Sequence, residues 1–112
     1  MTAQVVGTLD DIPVGEGRAF ALDGTQIAVY RLRDGSLRAI SAVCPHKGGP
    51  LADGLTDETV VICPLHGTTY DLTTGAQVGG TTYSVCTYPV STGPDGSILL
   101  DGRPNSKPQP AK

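Results

Sequence analysis

The chain has 112 residues and a formal charge of −3, enough for one small domain with a modest core. Thr, Val, Ile and Tyr together number 32 while Glu (2) and Met (1) are scarce, and Gly (15) and Pro (9) are frequent, so short strands and tight turns are expected rather than a helical bundle. No run of about 18 apolar residues exists to span a membrane, and no basic patch with interleaved aromatics exists to bind nucleic acid.

In chain order, the first strand is expected at Gln4–Leu9. The stretch Met1–Gly17 carries Asp10, Asp11 and Glu16 and lacks the basic start and apolar centre of a secretory leader, so the cytoplasm is the expected compartment. A hairpin follows: Gln26–Leu32, a turn at Arg33-Asp34-Gly35-Ser36, then Leu37–Val43. Ile27, Val29 and Arg31 share one face of its first strand, and Ala28, Tyr30 and Leu32 share the other. Both faces are apolar, so this strand is expected to be buried on both sides. Further strands are expected at Thr59–Cys63, Thr69–Leu72, Ser84–Val90 and Ser97–Leu100. Asp-Gly pairs at 23–24, 34–35, 53–54, 95–96 and 101–102 suit hairpin turns. Residues 103–112 hold three Pro, three bases and no acid, and read as a disordered tail. Without them, residues 1–102 carry five bases against eleven acids, a body of −6 suited to a basic partner surface or simply to solubility.

Three Cys and two His are few, and four of these five residues fall in two short segments. The first is Cys44-Pro45-His46, and the second is Cys63-Pro64-Leu65-His66, with 16 residues between His46 and Cys63. The Pro after each Cys favours extended backbone, and Gly48, Gly49, Pro50 and Gly67 let the chain turn around a bound object. Two thiolates and two imidazoles suit a tetrahedral zinc ion or a [2Fe–2S] cluster with Cys on one iron and His on the other. Zinc sites commonly pair Cys with Cys and His with His, whereas each segment here is mixed, which favours the cluster. A zinc-binding interaction module is the remaining alternative.

The stretch Cys44-Pro-His46-Lys-Gly-Gly-Pro-Leu51-Ala-Asp-Gly54, with Cys63-Pro-Leu-His66-Gly67, resembles the Rieske iron–sulfur fingerprint. The similarity extends through Pro13–Gly17, Ile27–Arg31, Tyr70–Gly75 and Tyr88–Val90, roughly residues 10–100. The resemblance implies an all-β Rieske fold: an antiparallel β-sandwich in residues 1–102 with a small cluster-binding subdomain inserted at about 43–72. It implies one [2Fe–2S] cluster, with Cys44 and Cys63 on the buried iron and His46 and His66 on the outer one. Leu51 matches the apolar residue that helps cover the cluster.

The high-potential, membrane-complex branch of this family ties its two loops by a disulfide. The matching positions here are Gly49 and Leu65, so the chain resembles the soluble branch. That branch comprises ferredoxins that feed oxygenases and the small subunits of NAD(P)H-dependent nitrite reductases. Thr68 and Tyr70 depart from the Trp and Phe frequent there. They match the high-potential branch's Ser and Tyr, whose hydroxyls bond to sulfur and raise the potential. The alternative is that both merely continue a strand. Cys86 shares an alternation with Tyr88 and Val90 and is expected to be a buried, inert strand residue. Lys47 is either a docking charge beside the cluster or a solvated loop residue, and Tyr30, Tyr83 and Tyr88 read as packing residues.

With both His committed to iron, no Ser/His/Asp set and no Gly-rich nucleotide loop remains for catalysis. The implied function is one-electron transfer, from a flavin-dependent reductase to an oxygenase. The second reading is a subunit of a nitrite-reductase-like complex with a large flavin- and siroheme-containing partner. Neither reading involves nucleic acid or a membrane.

Overall fold

The computed structural model describes residues 4–22, 24–42, 51–57, 59–63, 68–79 and 85–102. These form β1 (Gln4–Thr8), β2 (Gly17–Leu22), β3 (Thr25–Arg31), β4 (Leu37–Ser41), β5 (Leu55–Asp57), β6 (Val60–Ile62), β7 (Thr69–Asp71), β8 (Val90–Thr92) and β9 (Ser97–Leu100). Short 3-10 turns lie at Leu9–Asp11 and Leu51–Asp53, and there is no α-helix among the described residues.

Strand β3 divides the core. Its alternation sends Ile27 and Val29 to one side and Ala28, Tyr30 and Leu32 to the other, and all five are buried. The first side packs with Leu37 and Ala39 of β4 against Ile98 and Leu100 of β9, Ile12 and Tyr88. The second side packs with Ile40 and Ala42 against Leu51, Ala52, Val61, Cys63, Tyr70, Leu72 and Val85. Three antiparallel three-stranded sheets result, ordered β1-β9-β8, β2-β3-β4 and β5-β6-β7, with β2-β3-β4 between the other two. Full burial of one Ile side chain such as Ile27 contributes about 1.5–3 kcal/mol, so a strand apolar on both faces belongs in the middle layer.

Turn chemistry fixes the registers. Leu22 pairs with Thr25 across a two-residue connection in which Gly24 takes φ +82°. The β3–β4 and β8–β9 hairpins use one device twice. In each, an Asp carboxylate (Asp34, Asp95) accepts from the backbone and hydroxyl of a Ser two residues on (Ser36, Ser97). The intervening Gly35 and Gly96 take φ +88° and +83°.

Three expectations change. Strand β2 was not foreseen; it is an edge strand whose Arg18, Ala19 and Ala21 are exposed, so it lacks a readable apolar alternation. Strand β5 was likewise not foreseen, being three residues long. The strand expected at Ser84–Val90 reduces, among its described residues, to a bridge of Thr87 with Ile40, and β8 begins only at Val90. Pro89 has no N–H to donate and sits where the chain leaves the β4 edge for β9.

Candidate metal centre

Two loops begin and end at the core between the middle sheet and β5-β6-β7. The first runs between Ala42, just past β4, and Leu51, and the Leu51 amide donates to the Ala42 carbonyl at 2.8 Å. The second runs between Cys63, just past β6, and Thr68, and the Cys63 amide donates to the Thr68 carbonyl at 2.7 Å. Both necks are therefore closed by backbone hydrogen bonds. Ala42, Leu51 and Cys63 belong to one buried cluster, with Tyr70 beside them.

The sequence candidates fall as follows. Cys63 is 2% exposed, Leu51 and Tyr70 are fully buried, and Thr68 is half-buried at the second neck. Cys44, His46 and His66 lie outside the described residues, as do Lys47, Gly49, Leu65 and Tyr83. What the structure brings together is Cys63, Leu51 and Tyr70. Thiolate charge amid Leu51, Val61 and Tyr70 is costly unless a cation compensates it, so the surroundings of Cys63 fit a metal-bound sulfur. Among the described residues, that burial is compatible with Cys63 as a ligand of an iron–sulfur cluster.

Leu51 is held at three points. Its carbonyl accepts the Tyr30 hydroxyl at 2.6 Å and the Gly54 amide at 3.0 Å, and its own amide goes to Ala42. Sequence reasoning gave Tyr30 a packing role alone. The hydrogen bond joins residues 21 apart, and no local signal announces it. A third connection starts from the same cluster: the Val85 amide donates to the Gly75 carbonyl at 2.8 Å, and the chain after Gly75 pairs with β7 through Tyr70 and Gln77.

Cys86 is not part of this centre. It is half-buried rather than buried, and it packs at the margin of the opposite core with Val6, Leu9, Phe20 and Val90. Its carbonyl accepts the Ser41 amide at 3.0 Å. Burial pushes the nearby Tyr88 hydroxyl above its usual pKa, with a Ser41 hydrogen bond acting in the opposite direction. Asp34 and Asp95 are held below the usual carboxylate range by their Ser36 and Ser97 hydrogen bonds. None of these three groups belongs to the Cys63 cluster.

The sequence model of the Rieske [2Fe–2S] domain matches residues 2–89. A ferredoxin component of naphthalene 1,2-dioxygenase/salicylate 5-hydroxylase systems from Ralstonia sp. is 35% identical over 83 residues, 73% of this chain and 79% of the relative. The ferredoxin of carbazole 1,9a-dioxygenase from Nocardioides aromaticivorans superposes with a TM-score of 0.82 at 32% identity, covering 92% of this chain and all (100%) of that one. A Mycobacterium tuberculosis protein assigned as the small subunit of an NADH-dependent nitrite reductase superposes with a TM-score of 0.82 at 28% identity, covering 89% and 95% of the two chains.

Proposed function

Because the chain belongs to the Rieske [2Fe–2S] family, it is a one-electron transfer protein carrying a [2Fe–2S] cluster, and we propose which of its residues hold that cluster and whom it serves. Cys44 and Cys63 bind one iron, and His46 and His66 bind the other. When bound, the cluster takes up and returns a single electron. Of the residues that would hold it, Cys63 is buried among apolar side chains, which would exclude water from its sulfur. One observation carries the reading. The two loops that bear the four donors are closed at necks which converge, with the Cys63 thiol, in one buried apolar cluster.

Leu51, at the first neck, would help cover the cluster, and Thr68, at the second neck, and Tyr70, on β7, would be the residues whose hydroxyls donate to its sulfurs. Residues 1–102 form one domain whose cluster-binding part spans about 43–72; the tail expected at 103–112 lies outside the described residues. The support for these bounds is the Ala42–Leu51 neck on one side and, on the other, the Leu72 amide donating to the Thr59 carbonyl. Among the described residues no helix is long and apolar enough to cross a membrane, and we place the protein in the cytoplasm.

The donor is a flavin-dependent reductase and the acceptor an oxygenase. The support is the likeness to ferredoxin components of dioxygenase systems, which the chain matches over most of their length. A second reading, the small subunit of a nitrite-reductase-like complex, draws on an equal TM-score of 0.82 at lower identity.

Iron and sulfide analysis, with EPR spectroscopy before and after reduction, tests the centre. A coloured protein that gains a signal on reduction, and loses the centre in Cys63→Ser, is expected. A colourless protein with zinc would refute it. Turnover with a flavin reductase and oxygenase, against co-purification with a large reductase subunit, separates the two partner readings.

A further inference from the structure

Strand β3 places Tyr30 directly opposite Gly17 of β2, on the face that carries Cys63 and Leu51. The Tyr30 ring lies on Gly17 so closely that a Cβ there would come within 2.6 Å of Cδ2 and Cε2 of the ring and 3.1 Å of the Ala52 carbonyl. The ring is fully buried, and its hydroxyl reaches across to the Leu51 carbonyl at 2.6 Å. Gly17 and Tyr30 together therefore tie the middle sheet to the exit of the first loop. The Leu51 amide meanwhile ties that exit to the loop's own start at Ala42. The second loop, through Cys63, stands on β6 of a different sheet.

Resting on the functional reading above, we propose that Tyr30 is a positioning residue for the metal centre, with Gly17 as the space that admits it. Its hydroxyl fixes the peptide of Leu51, where the segment bearing Cys44 and His46 rejoins the described fold, against β3. Without the bond, Leu51 keeps its Ala42 and Gly54 partners but loses its anchor to β3. The Leu51 peptide is then held less firmly against β3, with the sheets intact. Losing one of the two hydrogen bonds that the Leu51 carbonyl accepts weakens that hold by about tenfold, equivalent to about 1.4 kcal/mol.

The test uses the full chain with its cluster loaded. Tyr30→Phe keeps the ring and removes the hydroxyl, and Gly17→Ala pushes the ring away and serves if the first variant folds poorly. Tyr88→Phe, in the core on the far side of β3, is the control for general loosening. Two quantities are read: the rate at which a chelator bleaches the cluster, and the EPR spectrum of the reduced protein. Tyr30→Phe or Gly17→Ala should bleach about tenfold faster than the unaltered protein, and its reduced spectrum should change. Tyr88→Phe should do neither. If either quantity in the Tyr30 and Gly17 variants matches the Tyr88→Phe value, the positioning role is overturned. An unaltered protein that holds no cluster overturns the functional reading itself and this role with it.

Discussion

Gly75 and Gly24 hold nearly the same backbone conformation, φ +80° and +82°, in opposite surroundings. A Cβ on Gly24 meets nothing within 4 Å, whereas a Cβ on Gly75 runs into the Val85 carbonyl oxygen and comes within 3.2 Å of the Val85 carbonyl carbon and 3.3 Å of Thr87 Cγ2. Gly24→Ala therefore carries only the left-handed backbone cost of roughly 1–2 kcal/mol. Gly75→Ala carries that cost and more, because a backbone carbonyl has no rotamer to move into. Val85 must shift, its 2.8 Å amide bond to Gly75 is strained or lost at about 1 kcal/mol, and its burial in the Cys63 cluster is reduced at about another 1 kcal/mol. The total for Gly75→Ala is about 3–4 kcal/mol, a large share of the roughly 5–15 kcal/mol that holds a small domain. Each kcal/mol moves the melting temperature of a domain of this size by about 4–8 °C, so thermal unfolding by circular dichroism should resolve the pair clearly. Gly75→Ala should also retain less cluster, because Val85 packs with Cys63. Equal destabilisation by the two substitutions would refute the close approach of Val85 to Gly75.

Thr68→Val and Tyr70→Phe should each lower the reduction potential. A hydrogen bond to sulfur worth about 1.4 kcal/mol more in the reduced state corresponds to about 59 mV for one electron, so protein-film voltammetry should see shifts of tens of mV. Unchanged potentials would leave both residues as strand continuations. Ile27→Ala empties the core on the far side of β3 and should cost about 2–5 kcal/mol in denaturant unfolding. It should leave the reduced EPR spectrum unchanged, and a changed spectrum would contradict the separation of the two cores. Asp34 and Asp95 have native pKa values below their unfolded ones, so their stabilisation is present above about pH 4 and lost as pH falls through the native values. The double variant Ser36→Ala/Ser97→Ala should therefore show a shallower fall of melting temperature between about pH 5 and pH 3 than the unaltered protein, and an equal fall would deny the turns this role.

The parts of the fold that could be read in the sequence are those whose own side chains carry the reason for the structure. Strand β3 was legible because Ile27, Val29, Ala28, Tyr30 and Leu32 are apolar on both alternations, and the structure buries all five between two sheets. Strand β2 was not, because Arg18, Ala19 and Ala21 face solvent and the strand is held by pairing with β3 rather than by a pattern of its own. The Asp23-Gly24 pair was the available signal, since it joins Leu22 to Thr25 in register. The expected strand at Ser84–Val90 fails for the opposite reason. Its alternation is real, but Pro89 interrupts the donor series and the segment crosses from β4 to β9.

The metal centre divides the same way. The proposed donors, Cys44, His46, Cys63 and His66, stand out because Cys and His are rare here and are paired at short spacing, and that chemistry is local. The residues that hold the neck of the first loop are ordinary in type: an Ala, a Leu, a Gly and a Tyr that any β-domain contains. Ala42, Leu51, Gly17 and Tyr30 acquire their role only through contacts that join distant parts of the chain. A substitution at Gly17 would look harmless beside the ligand motif, yet it acts on the same Leu51 peptide that closes the first loop. Variants that spare all four donors and still lose the cluster should therefore concentrate at these necks and at the ring and glycine behind them, not at the exposed positions of β2 and β5.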